Sequence, residues 1–323
     1  MLILGLQGSP RKKGNTEFLL SLFMAEARKY GARTHIVDVC RKHIEPCREF
    51  TTCEKKGFCP IKDDMDPEIY PLLRKADVVV PASPVFFYNV TAQLKALIDR
   101  SQTLWARNYR LKLTDPNRGM RRGFMLSQGA TKGKNLFLGV DLTARYFFDA
   151  VGAAYAGSLY YWEIEHRGDM EKHPKVREDV AAAVKTLLEP YQDRRKILFA
   201  GRRNAARSQM AAAFAQMNGG KVIDVSMGGV APAEQIDPLA AAVMAEKGID
   251  MMFRIPESLD DALAGETPET IVAMDTVEIG DTRASARIDW DLPDAEGLDI
   301  EGMRRLRDEI EARVSDLIQP PTS

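Results

Sequence analysis

Three stretches of the sequence hold residue types at spacings that suit chemistry. The first is Gly8-Ser9-Pro10-Arg11-Lys12-Lys13-Gly14-Asn15-Thr16, which follows an apolar run at residues 2–7. Its glycines allow close backbone approach, and Ser9 and Thr16 bring hydroxyls. Arg11 brings charge, and a helix starting near Asn15 would turn free N–H groups toward an anion, so the loop suits a monophosphate. Spacing sets two other phosphate loops aside. Gly5-Leu6-Gln7-Gly8 lacks the G-x-G-x-x-G of dinucleotide sites, and five residues between Gly8 and Gly14, followed by Asn15, do not make a Walker loop. The second stretch holds all four cysteines, Cys40, Cys47, Cys53 and Cys59. In a reducing compartment such a cluster points to metal or redox chemistry before disulfides. The third, Gly201 to Ser208, is another glycine-bearing loop between a short strand and a helix, with Arg202, Arg203 and Arg207. It is a second candidate anion cradle.

The elements that must position these residues alternate. Strand patterns at 2–7, 34–39, 76–82, 123–127 and 155–162 are separated by helical ones at 15–30, 90–105, 135–151 and 174–189. After a polar stretch the pattern restarts, with strands at 196–200, 221–226 and 270–274 and helices at 237–247 and 301–318. A chain of 323 residues is long enough for two domains. The expected fold class is therefore α/β, two doubly wound parallel-sheet domains, at 1–192 and 193–323. The halves share no repeated sequence, which favours fusion over duplication. Lys plus Arg number 45 against 46 Asp plus Glu, so no global field steers the chain onto nucleic acid, and none is expected as a partner. No apolar run approaches the length of a membrane span, and Met1 to Leu6 lacks a basic leader, so the protein is read as cytoplasmic with no membrane partner.

Residues 83–100, Ser83-Pro84-Val85-Phe86-Phe87-Tyr88-Asn89-Val90-Thr91-Ala92-Gln93-Leu94-Lys95-Ala96-Leu97-Ile98-Asp99-Arg100, closely resemble a segment of the flavodoxin-like NADPH-dependent FMN reductases and iron–sulfur flavoproteins. Ser127-Gln128-Gly129-Ala130 resembles the third flavin-contacting loop of the same family, and the resemblance extends over residues 1 to about 190. It implies FMN as cofactor, NAD(P)H as co-substrate and an electron acceptor that the sequence does not name. The implied flavin ligands are Ser9, Arg11, Gly14, Asn15, Thr16, Pro84, Val85, Phe86, Phe87, Asn89, Gln128, Gly129 and Ala130. Hydride transfer is the cofactor's own chemistry, so no catalytic acid or base is expected. A homo-oligomer covering the aromatic loop is also implied.

The cysteine stretch resembles the compact C-x2-C-x2-C-x5-C motif of iron–sulfur flavoproteins, followed as there by Asp63-Asp64-Met65, but Phe50 stands where the second cysteine belongs. Cys47, Cys53 and Cys59 remain as candidate metal ligands. A four-iron cluster normally takes four thiolates, so the preferred reading has no cluster; relics or a zinc remnant near His43 are the alternatives.

Residues 196 to about 318 resemble the low-molecular-weight protein tyrosine phosphatase and arsenate reductase family. The resemblance rests on Gly201-Arg202-Arg203-Asn204-Ala205-Ala206-Arg207-Ser208, Ser226-Met227-Gly228-Gly229, Ile236-Asp237-Pro238 and Trp290-Asp291-Leu292-Pro293-Asp294. That family attacks with a thiolate, and the matching position is Gly201. No cysteine follows Cys59 and no histidine follows His173, so no nucleophile replaces it. Asp294 matches the family's general acid. The expectation is a catalytically inactive, anion-binding domain using Gly201, Arg202, Arg203, Asn204, Arg207, Ser208 and Asp294. The expected function is an FMN-dependent NAD(P)H oxidoreductase joined to this domain. The alternatives are a sensor that binds a phospholigand in the cradle, or an iron–sulfur flavoprotein electron carrier.

Overall fold

The computed structural model describes residues 1–275 and 284–319. Two compact units are present: Met1–Lys112 with Met120–Gln192, and Leu113–Gly119 with Asp193–Ser323. This differs from a single cut near 193, because the short segment Leu113–Gly119 belongs to the second unit. Positions 276–283 and 320–323 of the expected second domain lie outside the described residues.

In the first unit five parallel strands, β1 (Leu2–Gln7), β2 (Arg33–Asp38), β3 (Val78–Pro84), β4 (Arg122–Gln128) and β5 (Ala154–Tyr161), lie in the order β2-β1-β3-β4-β5. The three inner strands are almost wholly buried and read as near-continuous apolar runs, as strands covered on both faces must. Helix α1 (Asn15–Arg28) buries Leu19, Leu20, Phe23, Met24 and Ala27, a helical stripe, against β1, β3 and β4. Between β2 and β3 come the short helices α2 (Thr52–Lys56) and α3 (Tyr70–Lys75). The helical pattern at 90–105 resolves into α4 (Ala92–Arg100) and α5 (Gln102–Tyr109) with a break at Ser101, whose hydroxyl bonds the Leu97 carbonyl at 3.0 Å. The remaining helices are α6 (Leu138–Ala150), α7 (Asp169–Lys172) and α8 (Val176–Leu188). Strand order reverses direction between β1 and β3, so the loops after these strands open at the switch point where ligands of such sheets sit.

The described residues of the second unit form four parallel strands in the order β7-β6-β8-β9: β6 (Arg195–Gly201), β7 (Ile223–Gly229), β8 (Thr270–Ala273) and β9 (Ala286–Asp289). Helices α9 (Arg207–Gly219), α10 (Pro238–Glu246) and α12 (Ile300–Ile318) share one core, while α11 (Leu259–Leu263) packs with Leu198, Ala200, Ile271 and Ala273 in another. Four small alanines at 211–213 and 215 let α9 lie buried from Ser208 to Ala215. The segment 113–119 joins this unit through Thr114, whose N–H donates to the Gly248 carbonyl at 2.7 Å and whose carbonyl accepts from Asp250 N–H at 2.8 Å.

Candidate functional site

In the first unit the loops after β1, β3 and β4 are tied to one another in pairs. The Gln128 side-chain amide donates to the Thr16 hydroxyl, joining the first loop to the third. Val85 N–H donates to the Gln128 carbonyl at 2.9 Å, joining the second to the third. Thr91, which also caps α4, donates its hydroxyl to the Gly8 carbonyl at 2.5 Å, joining the first to the second. Gly8 is required by this closeness, because a Cβ there would stand 2.9 Å from Leu94 Cβ and 3.0 Å from the Ala82 carbonyl oxygen. Sequence reasoning gave the loop glycines, Gly8 among them, this close approach but passed over Thr91, although it lies inside a motif it used.

The predicted ligands divide by environment. Ser9, Thr16 and Gln128 are buried, Gly14 precedes α1 in extended conformation, and Arg11 and Ala130 are exposed. Asn15 is committed elsewhere: its amide donates to the His166 carbonyl at 2.9 Å and its oxygen accepts from Gly168 N–H at 3.1 Å. Asn15 thus positions the 166–170 turn through its side chain. Asn89 likewise accepts from its neighbour Val90 N–H and from the Thr143 hydroxyl. Phe86 and Asn89 exchange two backbone hydrogen bonds at 2.8 and 2.9 Å around Phe87 and Tyr88, both of which have positive φ. Phe87 is wholly exposed at this tip, and Pro84 and Val85 are half-buried at its base. Two buried amide oxygens, Gln7 Oε1 and Gln128 Oε1, lack partners at the carboxyl ends of β1 and β4. Such atoms are costly unless something donates to them, and a polar ligand lying across these loops fits that need. Gln7 was not anticipated; its place as the last residue of a buried strand was the available signal.

The cysteine stretch is held by two arginines. Arg100, with 1% side-chain exposure, pairs with Asp63 at 2.5 Å and also donates to the Glu45 carbonyl at 3.0 Å. Arg107 donates to the Gly57 carbonyl at 3.0 Å. All four cysteines are free thiols. Burial pushes the Cys40 thiol up to about 11, and it also raises Cys53, with Cys59 and Cys47 adding to the effect. Among the described residues no group of three His, Cys, Asp or Glu side chains is placed to hold a metal ion. With Phe50 exposed where the motif has its second cysteine, Cys47, Cys53 and Cys59 supply three thiolates and do not fit a four-thiolate cluster by themselves.

In the second unit β6 runs into the loop 202–206 and then α9. The loop's carbonyls turn outward: those of Gly201, Arg202, Arg203 and Ala205 accept from Val230, Ala231, Ala233 and Asp237 N–H at 2.9 to 3.2 Å. This leaves the amides for the inner side, and Gly229 permits the close approach, since a Cβ there would meet the Arg202 carbonyl oxygen at 2.8 Å. Asn204 takes positive φ, is buried, and holds Ser208 Oγ at 3.2 Å and the Glu257 carbonyl at 3.3 Å. The side chains of Asn204 and Ser208 thus shape the loop. A pocket of about 150 Å³ is lined by residues 201–208, Asp237, Met274, Asp275 and 294–297. Within it Arg207 bonds Asp275 at 2.9 Å and Asp294 at 3.3 Å, and Arg203 pairs with Glu296 at 3.3 Å. The expected free, bidentate Arg207 is already engaged by carboxylates. At Gly201, the position matching the family's thiol, an added Cβ would make ordinary contact, its nearest outside atom being Met274 Cβ at 3.6 Å.

Comparison with known proteins adds the following. Residues 1–162 match the family model of NADPH-dependent FMN reductase, and residues 196–320 match that of low molecular weight phosphotyrosine protein phosphatase. An iron–sulfur flavoprotein of Methanosarcina thermophila is 42% identical over 112 residues, 35% of this chain and 58% of its own. The chain spans about half the length of the curated iron–sulfur flavoproteins it matches. A glutaredoxin arsenate reductase of Synechocystis sp. is 31% identical over 127 residues, 38% of this chain and 96% of its own. A solved arsenate reductase in its phosphate-binding state is 29% identical over 38% of this chain and 96% of its own, with a TM-score of 0.36. No helix of the described residues is long and apolar enough to cross a membrane.

Proposed function

The chain belongs to the NADPH-dependent FMN reductase family, and on that premise we propose that it is an FMN-dependent NAD(P)H oxidoreductase whose second unit keeps a phosphatase-like cradle without phosphatase chemistry. The carrying observation is the pairwise linkage of the three loops at the carboxyl ends of β1, β3 and β4, with two unpartnered amide oxygens at their base. Ser9, Thr16 and the amides opening α1 would hold the FMN phosphate, with Arg11 at the solvent side. Val85 and Gln128 to Ala130 would meet the polar edge of the ring, and Phe86 its face. Bound FMN would supply hydride acceptance from a nicotinamide and onward delivery of electrons. The protein's own part is to bind, orient and shield, and it needs no acid or base for that. A second copy of the chain covering the exposed Phe87 belongs to the same reading.

The test is reconstitution of the full chain with FMN, followed by NADPH oxidation with a generic acceptor. Thr16→Ala and Ser9→Ala should each weaken FMN binding by about ten- to a hundredfold, the size of one lost hydrogen bond to a charged group. Unchanged FMN affinity in both, in variants whose circular dichroism matches the parent, would move the phosphate elsewhere. Absence of any FMN binding at micromolar protein would end the reading. For the second unit, the unaltered chain should hydrolyse no aryl phosphate, because Gly201 cannot form the covalent intermediate.

A further inference from the structure

Asp275 stands at the end of β8, across the pocket from the 201–207 loop. Its Oδ2 accepts from the Arg207 guanidinium at 2.9 Å and from Arg202 N–H at 3.3 Å. These donors are of two kinds, a loop amide and an arginine at a helix start, and together they are what a tetrahedral oxyanion takes from such a cradle. The other oxygen, Oδ1, is buried and has no partner. The side chain is therefore held by one oxygen only, with the second desolvated and unsatisfied, an arrangement that costs free energy to maintain. Arg207 is further engaged by Asp294 and by the Met274 carbonyl, each at 3.3 Å, so an entering anion meets donors that are already in use.

We propose that Asp275 is a built-in competitor for the cradle: its carboxylate takes the donors a free tetrahedral oxyanion would use, and it must leave before such an anion can enter. This rests on reading the 201–208 loop as an oxyanion cradle. Among the described residues three further acids line the pocket, Asp237, Asp294 and Glu296. Asp237 is occupied in capping α10, and Asp294 and Glu296 are the more exposed partners of Arg207 and Arg203. Asp275 alone among them reaches both a loop amide and Arg207. Entry of phosphate breaks the two Asp275 contacts and forms its own with the same donors, and the displaced carboxylate gains water for its starved oxygen.

Titration calorimetry of the full chain with inorganic phosphate, at fixed pH and ionic strength, tests this. Asp275→Asn and Asp275→Ala should bind phosphate about tenfold more tightly than the parent or better, because a like charge at contact distance has been removed. Adding Arg207→Ala to either should abolish the gain. Thermal melts and circular dichroism identify variants that have lost their fold, and the two replacements fail independently. Equal affinity in parent and variants, reduced in both by Arg207→Ala, would overturn the role of Asp275 while leaving the cradle reading intact. Weaker binding in the variants would make Asp275 a positioner of Arg207 and overturn the proposal as well. No phosphate binding by any form at millimolar concentration would overturn both.

Discussion

Asp63 and Arg100 carry opposite charges at almost zero exposure, and Arg100 adds the Glu45 carbonyl to its partners. Burial alone would raise the Asp63 carboxyl, but the bond from Arg100 and two backbone N–H donors outweigh it and hold the group below its usual range. Removing one partner strands the other, so Asp63→Ala should cost about 3–5 kcal/mol in denaturant unfolding. The sign with pH follows from the lowered value. This contribution is complete above about pH 4, where unfolded aspartate is ionised, and is lost as pH falls through the folded value. A folded Asp63→Asn variant should therefore show a flatter loss of stability in acid, and an identical acid profile would remove Asp63 from the account. At Gly201 the same logic of neighbouring charge applies. An added Cβ would lie 3.9 Å from Asp275 Oδ2, so a thiol placed there meets a carboxylate that favours its protonated, unreactive form. Gly201→Cys combined with Asp275→Asn should turn over an aryl phosphate faster than Gly201→Cys alone, as measured by phenol release. The reverse order would mean that Asp275 aids the thiolate.

The hairpin turn of Phe86 to Asn89 sets two bulky aromatic residues at positive φ, 46° and 62°, where glycine and asparagine are ordinarily found. Each such placement costs on the order of 1 kcal/mol, and strain of this kind is retained where it serves a site. Replacing Phe87-Tyr88 by Asn-Gly should raise the melting temperature of the first unit by a few degrees while impairing NADPH oxidation. A fall in melting temperature would show that the aromatic contacts outweigh the strain. The turn's presence was readable from its flanking motif, but its geometry was not, since nothing in Phe-Phe-Tyr-Asn announces a left-handed pair. The same limit explains β9. Ala286 to Asp289 is an exposed edge strand whose Ala-Arg-Ile-Asp alternation lasts only four residues, too short for periodicity to register. The buried inner strands and the α1 stripe were legible because burial on both faces leaves an unbroken apolar run. In the cradle, Gly201 and Arg207 were legible as neighbours on one loop. Asp275 was not, because it arrives from the end of another strand and no spacing in the sequence links it to Arg207.

At the scale of the whole chain, the second unit draws on two separate stretches of sequence, one of them Leu113–Gly119. Asp250, buried at 2% exposure, donates its N–H to Thr114 there, and Thr114 returns a bond to Gly248. Thr114→Pro deletes that donor and should cost about 1–3 kcal/mol. Hydrogen exchange should show the loss in residues 248–250 and β6 to β8, with protection of β1 to β5 unchanged. Loss confined to β1 to β5 would mean that the segment belongs to the first unit.

The placement of Leu113–Gly119 bears on inheritance. A module appended at the end of a chain can be traded by a single crossover, yet here one crossover near residue 193 would carry away the second unit and leave a piece of it behind. The coding stretch between α5 and β4 therefore specifies part of a fold whose main body is encoded about eighty codons downstream.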